Sequence, residues 1–60
     1  MNPLLKADIC VAIAFLEAAL ASDDGTKRVG YLSRAAYRLQ SAVATADLEA
    51  EQAERREMIQ

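Results

Sequence analysis

Apolar residues fill the first third of the chain almost without interruption. Between Leu4 and Ala21 only Lys6, Asp8 and Glu17 are charged. At about 100° per residue along a helix, the apolar positions cover an arc of roughly 200°, about twice the stripe that a surface helix needs. The segment therefore predicts a helix with more apolar surface than one packing partner can cover.

The signals that bound this helix lie at Asn2 and in the segment 22–26. Asn2 offers a side-chain acceptor as N-cap, and Pro3 suits the first helical position because its missing N–H is not needed there. The segment 22–26, Ser-Asp-Asp-Gly-Thr, breaks the apolar pattern. We expect Gly25 to end the first helix in the left-handed conformation and Thr26 to cap the second.

A heptad pattern runs through the second helix. Its apolar residues alternate at spacings of three and four, as in a helix that is packed along its whole length. This heptad stripe comprises Val29, Leu32, Ala36, Leu39, Val43, Ala46, Ala50 and Ala53. We expect it to face the first helix, and its small residues favour a close approach.

Together these patterns predict an all-α fold in which a single domain, 1–60, forms an antiparallel helical hairpin. The helices are expected at about 3–24 and 26–57, joined by a short turn. At 1.5 Å per residue the first is about 30 Å long and the second reaches about 50 Å. Residues 48–60, rich in Glu and Arg, are therefore predicted to form a charged helical overhang.

Length and composition favour oligomerisation. A chain of 60 residues buries too little surface to be stable without disulfides, a metal or association. One cysteine and no histidine exclude an internal disulfide and a zinc site of the usual type, so association remains. We predict that the hairpin dimerises into a four-helix bundle. The expected oligomer interface consists of Leu5, Ile9, Ile13, Phe15, Leu16 and Leu20.

The residues offer little chemistry for catalysis. Without histidine, Cys10 lacks a general base, and in an apolar run it behaves as a small hydrophobe. We therefore predict a non-enzymatic protein with no cofactor and no metal. A lone cysteine suits a reducing compartment, and we recognise neither a signal peptide nor an apolar run of membrane-spanning length. The predicted location is cytoplasmic, without membrane attachment.

Four residues of the second helix are candidates for binding a partner. Arg34 and Arg38 share one side of the helix, and Tyr37 with Leu48 forms an apolar line outside the heptad stripe. Tyrosine and arginine are favoured at protein interfaces. The alternative is that these are scattered surface hydrophobes and solvated charges, which are normal on soluble proteins.

The start of the second helix is a candidate anion site. Thr26, Lys27 and Arg28 combine free backbone N–H groups with two cationic side chains, which suits a phosphate. The alternative is that Asp23 and Asp24 neutralise the two cations.

Two classes of function fit these features. The first is protein–protein interaction, as a homo-oligomeric adaptor, regulator or inhibitor of a partner protein, of the kind that phages and plasmids encode. The second is binding of nucleic acid or a phosphorylated ligand through the basic face of the second helix. The net charge of −2 and the scarcity of aromatic residues favour the first. A third possibility is a structural subunit whose apolar arc is permanently covered by a different chain.

In size and layout the hairpin resembles Rop, a family of plasmid copy-number regulators. The resemblance covers the hairpin architecture and no residue motif. It implies a dimeric four-helix bundle and, for the second class of function, binding of paired RNA loops.

Overall fold

Two packed helices make up the fold. The computed structural model describes residues 1–59, with side chains described for residues 1–56. Helix α1 spans Pro3–Ala21 and helix α2 spans Gly25–Ile59. They pack against each other as an antiparallel hairpin that measures 54 × 15 × 13 Å. The prediction of an all-helical hairpin is confirmed.

The first helix begins where the sequence places it and ends earlier. Asn2 Oδ1 accepts a hydrogen bond from the Leu4 N–H at 2.8 Å, and Pro3 occupies the first turn. The helix ends at Ala21, three residues before the predicted boundary, because Ser22 is extended with φ −82° and ψ 129°. The Ser22 N–H still donates to the Ala19 carbonyl, which closes the last turn.

Asp24, and not Thr26, caps the second helix. Its Oδ1 accepts the N–H groups of Thr26 at 2.8 Å and of Lys27 at 3.3 Å. No glycine has a positive φ in the described residues, so the predicted left-handed Gly25 is wrong, and Gly25 is instead the first residue of α2. A carboxylate one residue before Gly25 satisfies two free N–H groups at the helix start, so α2 begins one residue earlier than predicted.

The seam between the helices is built mainly from alanine. Among the described side chains, the buried apolar ones are Leu5, Ala12 and Ala19 of α1 and Ala35 and Ala42 of α2. Residues seven apart lie on the same face of a helix, so each helix presents one narrow line to the other. Alanine has no atoms beyond Cβ, so the helices approach closely but bury little apolar area. The hairpin core is therefore small.

The heptad stripe of α2 is not in this seam, which corrects the prediction. Ala35 and Ala42 precede Ala36 and Val43 by one position, so the packed face is rotated by about 100° from the stripe. The large stripe residues stay exposed: Val29 64%, Leu32 45%, Leu39 42% and Val43 60%. The alanine line permits a closer approach than a line of branched residues. The rotation also brings Arg38 and Ser41 of α2 to Asp8 of α1.

Helix α2 continues well past the start of α1. It has 35 residues against 19. Glu49 is half-buried, whereas every residue from 50 to 56 is exposed. This part of α2 makes no buried contact with its own chain.

Candidate interaction surfaces

One side of the hairpin is an apolar face formed by both helices. Leu16 and Leu20 of α1 and Leu32 of α2 line an open groove near the turn, with Ala19 at its base and Arg28 at its edge. Residues three or four positions further along each helix lie on this same side of the hairpin. The apolar face thus consists of Ile9, Ile13, Leu16 and Leu20 from α1 and Leu32, Leu39 and Val43 from α2.

Most of this apolar face is open to water in the single chain. Ile13 is 49% exposed and Leu20 is 89% exposed, while Ile9 is half-buried. Complete burial of an aliphatic side chain contributes about 1.5–3 kcal/mol. Contiguous exposed apolar surface of this kind is typical of sites of association.

The six residues predicted for the oligomer interface divide into three places. Four of them, Ile9, Ile13, Leu16 and Leu20, lie on the apolar face. Leu5 is 7% exposed and packs in the seam of its own hairpin, so it is not available to another chain. Phe15 lies on the opposite side, against Arg34 of α2. Sequence spacing alone could not separate these groups, because the separation depends on which side of α1 packs against α2.

The opposite side of the hairpin is a mixed face, apolar and basic. Phe15 of α1 and Ser33, Arg34, Tyr37 and Arg38 of α2 line a second open groove there. The guanidinium carbon of Arg34 lies 5.9 Å from the centre of the Phe15 ring, a cation–π distance. The sequence-predicted partner residues Arg34, Tyr37 and Arg38 are therefore brought together, and Phe15 joins them.

Leu48 continues the mixed face toward the overhang. It lies three helical turns beyond Tyr37, on the same side of α2. Both side chains are exposed, Tyr37 at 72% and Leu48 at 55%. Exposed aromatic and aliphatic groups beside arginine are typical of protein-binding surfaces.

Asp8 of α1 bonds to two residues of α2 beside the mixed face, a role that the sequence analysis missed. Its Oδ1 accepts from Arg38 Nη1 at 3.1 Å and its Oδ2 accepts from Ser41 Oγ at 2.9 Å. The Asp8 side chain is 14% exposed, against 45% for Arg38. The available signal was an acidic residue away from the polar side of α1 on which Lys6 and Glu17 lie. Its partners are 30 and 33 positions away, so only the packing of the helices reveals them.

Replacing Asp8 with Ala is expected to destabilise the hairpin by about 1–2 kcal/mol, because two hydrogen bonds to a shielded carboxylate are lost. The measurement is the urea midpoint followed by far-UV circular dichroism. Asp23→Ala is the matched control, since Asp23 is exposed in the turn and should leave the midpoint within error. Equal midpoints for the two variants would refute a stabilising role for Asp8.

The predicted anion site is occupied by the chain itself. The Thr26 and Lys27 N–H groups donate to the Asp24 carboxylate. The Arg28 guanidinium donates to the Ser22 carbonyl. A phosphate at this helix start would have to displace a negatively charged cap, which disfavours binding.

Comparisons with protein-family models, with curated proteins and with solved structures found no match to this chain. Within residues 1–59, neither helix carries an apolar stretch long enough to cross a lipid bilayer.

Proposed function

We propose that this chain is a small non-enzymatic protein that acts by protein–protein interaction, as a homodimeric adaptor, regulator or inhibitor. Two hairpins associate through their apolar faces into a four-helix bundle. The mixed face then remains on the outside and binds a partner protein.

The single observation that carries this proposal is the apolar face. Large aliphatic side chains of both helices stand on one side of the hairpin, while the intrachain seam is mostly alanine. A seam this small supplies little stabilisation to a chain of 60 residues, and short chains usually need a further source. Burial of the apolar face against a second copy supplies it.

The composition of the mixed face favours a protein partner. Phe15, Tyr37 and Leu48 offer apolar area, and Arg34 offers donors to carboxylates or carbonyls. Arginine and tyrosine anchors beside apolar groups dominate the binding energy of many interfaces.

The alternative of nucleic-acid binding has weaker support. Arg38 is engaged by Asp8, and the backbone donors at the start of α2 are engaged by Asp24. The net charge of −2 also opposes binding to a polyanion. Arg34 and Lys27 alone would supply few phosphate contacts.

Two measurements on the purified full-length chain test the proposal. Sedimentation equilibrium is expected to give twice the monomer mass of 6.5 kDa. Affinity capture from extract, with and without nuclease, is expected to retain the same protein in both arms. Retention should resist added salt, because apolar docking does not weaken as phosphate contacts do.

The control variant for capture is Arg34→Glu/Tyr37→Ala, which changes the mixed face and leaves the apolar face intact. It should remain dimeric and lose the captured protein. A monomeric wild-type chain would refute the dimer. Capture of nucleic acid, with protein lost on nuclease treatment, would favour the alternative.

A further inference from the structure

We infer that the second copy lies antiparallel to the first, in one register, with α1 against α1 and α2 against α2. The two copies are related by a two-fold axis that is perpendicular to the helices. This inference rests on the proposed dimer and specifies its partner surface. Three observations support it. The first is the residue pattern of α1, the second is the residue pattern of α2, and the third is that the centres of the two patterns lie at the same level along the hairpin.

Two pairs of positions in α1, Ile9 with Ile13 and Lys6 with Glu17, are arranged about the level of Val11. A two-fold axis at this level sets Ile9 of one copy opposite Ile13 of the other. The same axis brings Lys6 to within about 1.5 Å, along the helix, of the level of the second copy's Glu17. Lys6 and Glu17 are exposed beside the apolar face and form no ion pair within residues 1–56. The two charges thus complement each other only between copies.

The apolar positions of α2 are symmetric about the midpoint between residues 37 and 38. An axis there sets Leu32 opposite the second copy's Val43, and Ala36 opposite its Leu39. These pairings match the alternation of an antiparallel heptad seam, in which the stripe residues from Val29 to Ala46 meet stripe residues of the second copy. The heptad stripe that the hairpin leaves exposed is therefore used by the second copy.

One axis serves both helices only if these two levels coincide within the hairpin. Asp8 bonds to Ser41, and Phe15 lies beside Arg34. Because the helices are antiparallel, a step forward along α1 corresponds to a step back along α2. Three residues after Asp8 is Val11, which therefore lies level with position 38, three residues before Ser41. Four residues before Phe15 and four residues after Arg34 give the same pairing. The two symmetry levels therefore agree to within about one residue, or roughly 1.5 Å.

A parallel dimer does not produce these pairings. It would set α1 against α2 of the second copy and keep both turns at the same end. Lys6 and Glu17 of different copies would then lie about 16 Å apart along the bundle, as they do within one helix. Charge complementarity thus favours the antiparallel arrangement.

Cysteine cross-linking of the full-length chain tests the register. In a Cys10→Ser background, Leu32→Cys/Val43→Cys places the two thiols opposite each other between copies. The two sites lie about 16 Å apart in one helix, so a disulfide can join only different chains. The matched control is Leu32→Cys/Ala50→Cys, which would pair only if the register moved along the heptad stripe. Mild oxidation, or a short bis-maleimide, should give covalent dimer from the first variant and little from the second.

The outcomes separate this inference from the proposed function. Cross-linking of the Leu32/Ala50 variant instead would overturn the register while leaving the dimer in place. A dimer by sedimentation with neither variant cross-linked would overturn the inferred antiparallel register and leave the proposed dimer in place. A monomer at all concentrations would overturn the proposed dimer and the inference with it.

Charge reversal provides a second test that leaves the core untouched. Lys6→Glu should raise the dimer Kd roughly three- to ten-fold, because two exposed ion pairs per dimer become repulsive. Lys6→Glu/Glu17→Lys should restore the wild-type Kd. Failure of the double variant to recover would refute the contact between these residues.

Discussion

Replacing Ile13 with Asp is expected to convert the proposed dimer to a monomer at micromolar concentration. Ile13 is half exposed in the single hairpin and lies in the middle of the α1 part of the apolar face. Losing its burial costs about 2 kcal/mol per copy, and the introduced carboxylate must also be kept in water. Since each dimer contains two copies, the Kd should rise by about a thousand-fold or more. Sedimentation equilibrium over a range of concentrations measures it.

The matched control for Ile13→Asp is Leu4→Asp. Leu4 belongs to the same helix and is 75% exposed, but it lies on the side that faces away from the apolar face. The control should keep the wild-type Kd. An Ile13→Asp chain that remained dimeric with unchanged melting would show that the apolar face of α1 is not the interface.

Replacing Ala12 with Leu is expected to destabilise the hairpin strongly. Ala12 is 1% exposed in the seam, opposite a line of α2 that is also alanine. Three added carbon atoms force the helices apart or push nearby side chains out of their preferred rotamers, which lowers the free energy of unfolding by about 1–3 kcal/mol. In a chain of this size such a loss lowers the Tm by roughly 10 °C. Thermal unfolding followed by circular dichroism, at equal protein concentrations, measures the shift.

Ala14→Leu is the control, because Ala14 is exposed on the outside of α1. It adds the same side chain to the same helix and should leave the Tm within a few degrees of wild type. If both variants melted alike, the close approach of the helices at Ala12 would be refuted.

The overhang shows how far sequence patterns reach. The heptad stripe continues through Ala50 and Ala53, beyond the end of the α1 partner, while the surrounding residues become charged. Local propensity predicts that the helix continues, because Ala, Glu and Arg are strong helix formers. Whether such a segment has a packing partner depends on other helices, and the residues from 50 to 56 have none within the chain.

The candidate surfaces were only partly predictable. Tyr37, Arg34 and Arg38 fall on one side of a helix by spacing alone, so the sequence placed them together. The contributions of Phe15 and Asp8 could not be predicted without knowing which face of α1 packs against these α2 residues. Helical spacing fixes neighbours three and four residues apart, but it carries no information on contacts 30 residues apart.

The sequence by itself determined the two helices, the start of the first and the surplus of apolar surface. These follow from local propensity, from the Asn2 cap and from apolar periodicity, all of which act over a few residues. The tertiary structure decided the rotation of each helix about its axis. An alanine seam and the Asp8 contacts allow a close approach, and the larger aliphatic residues are therefore left together on one exposed face.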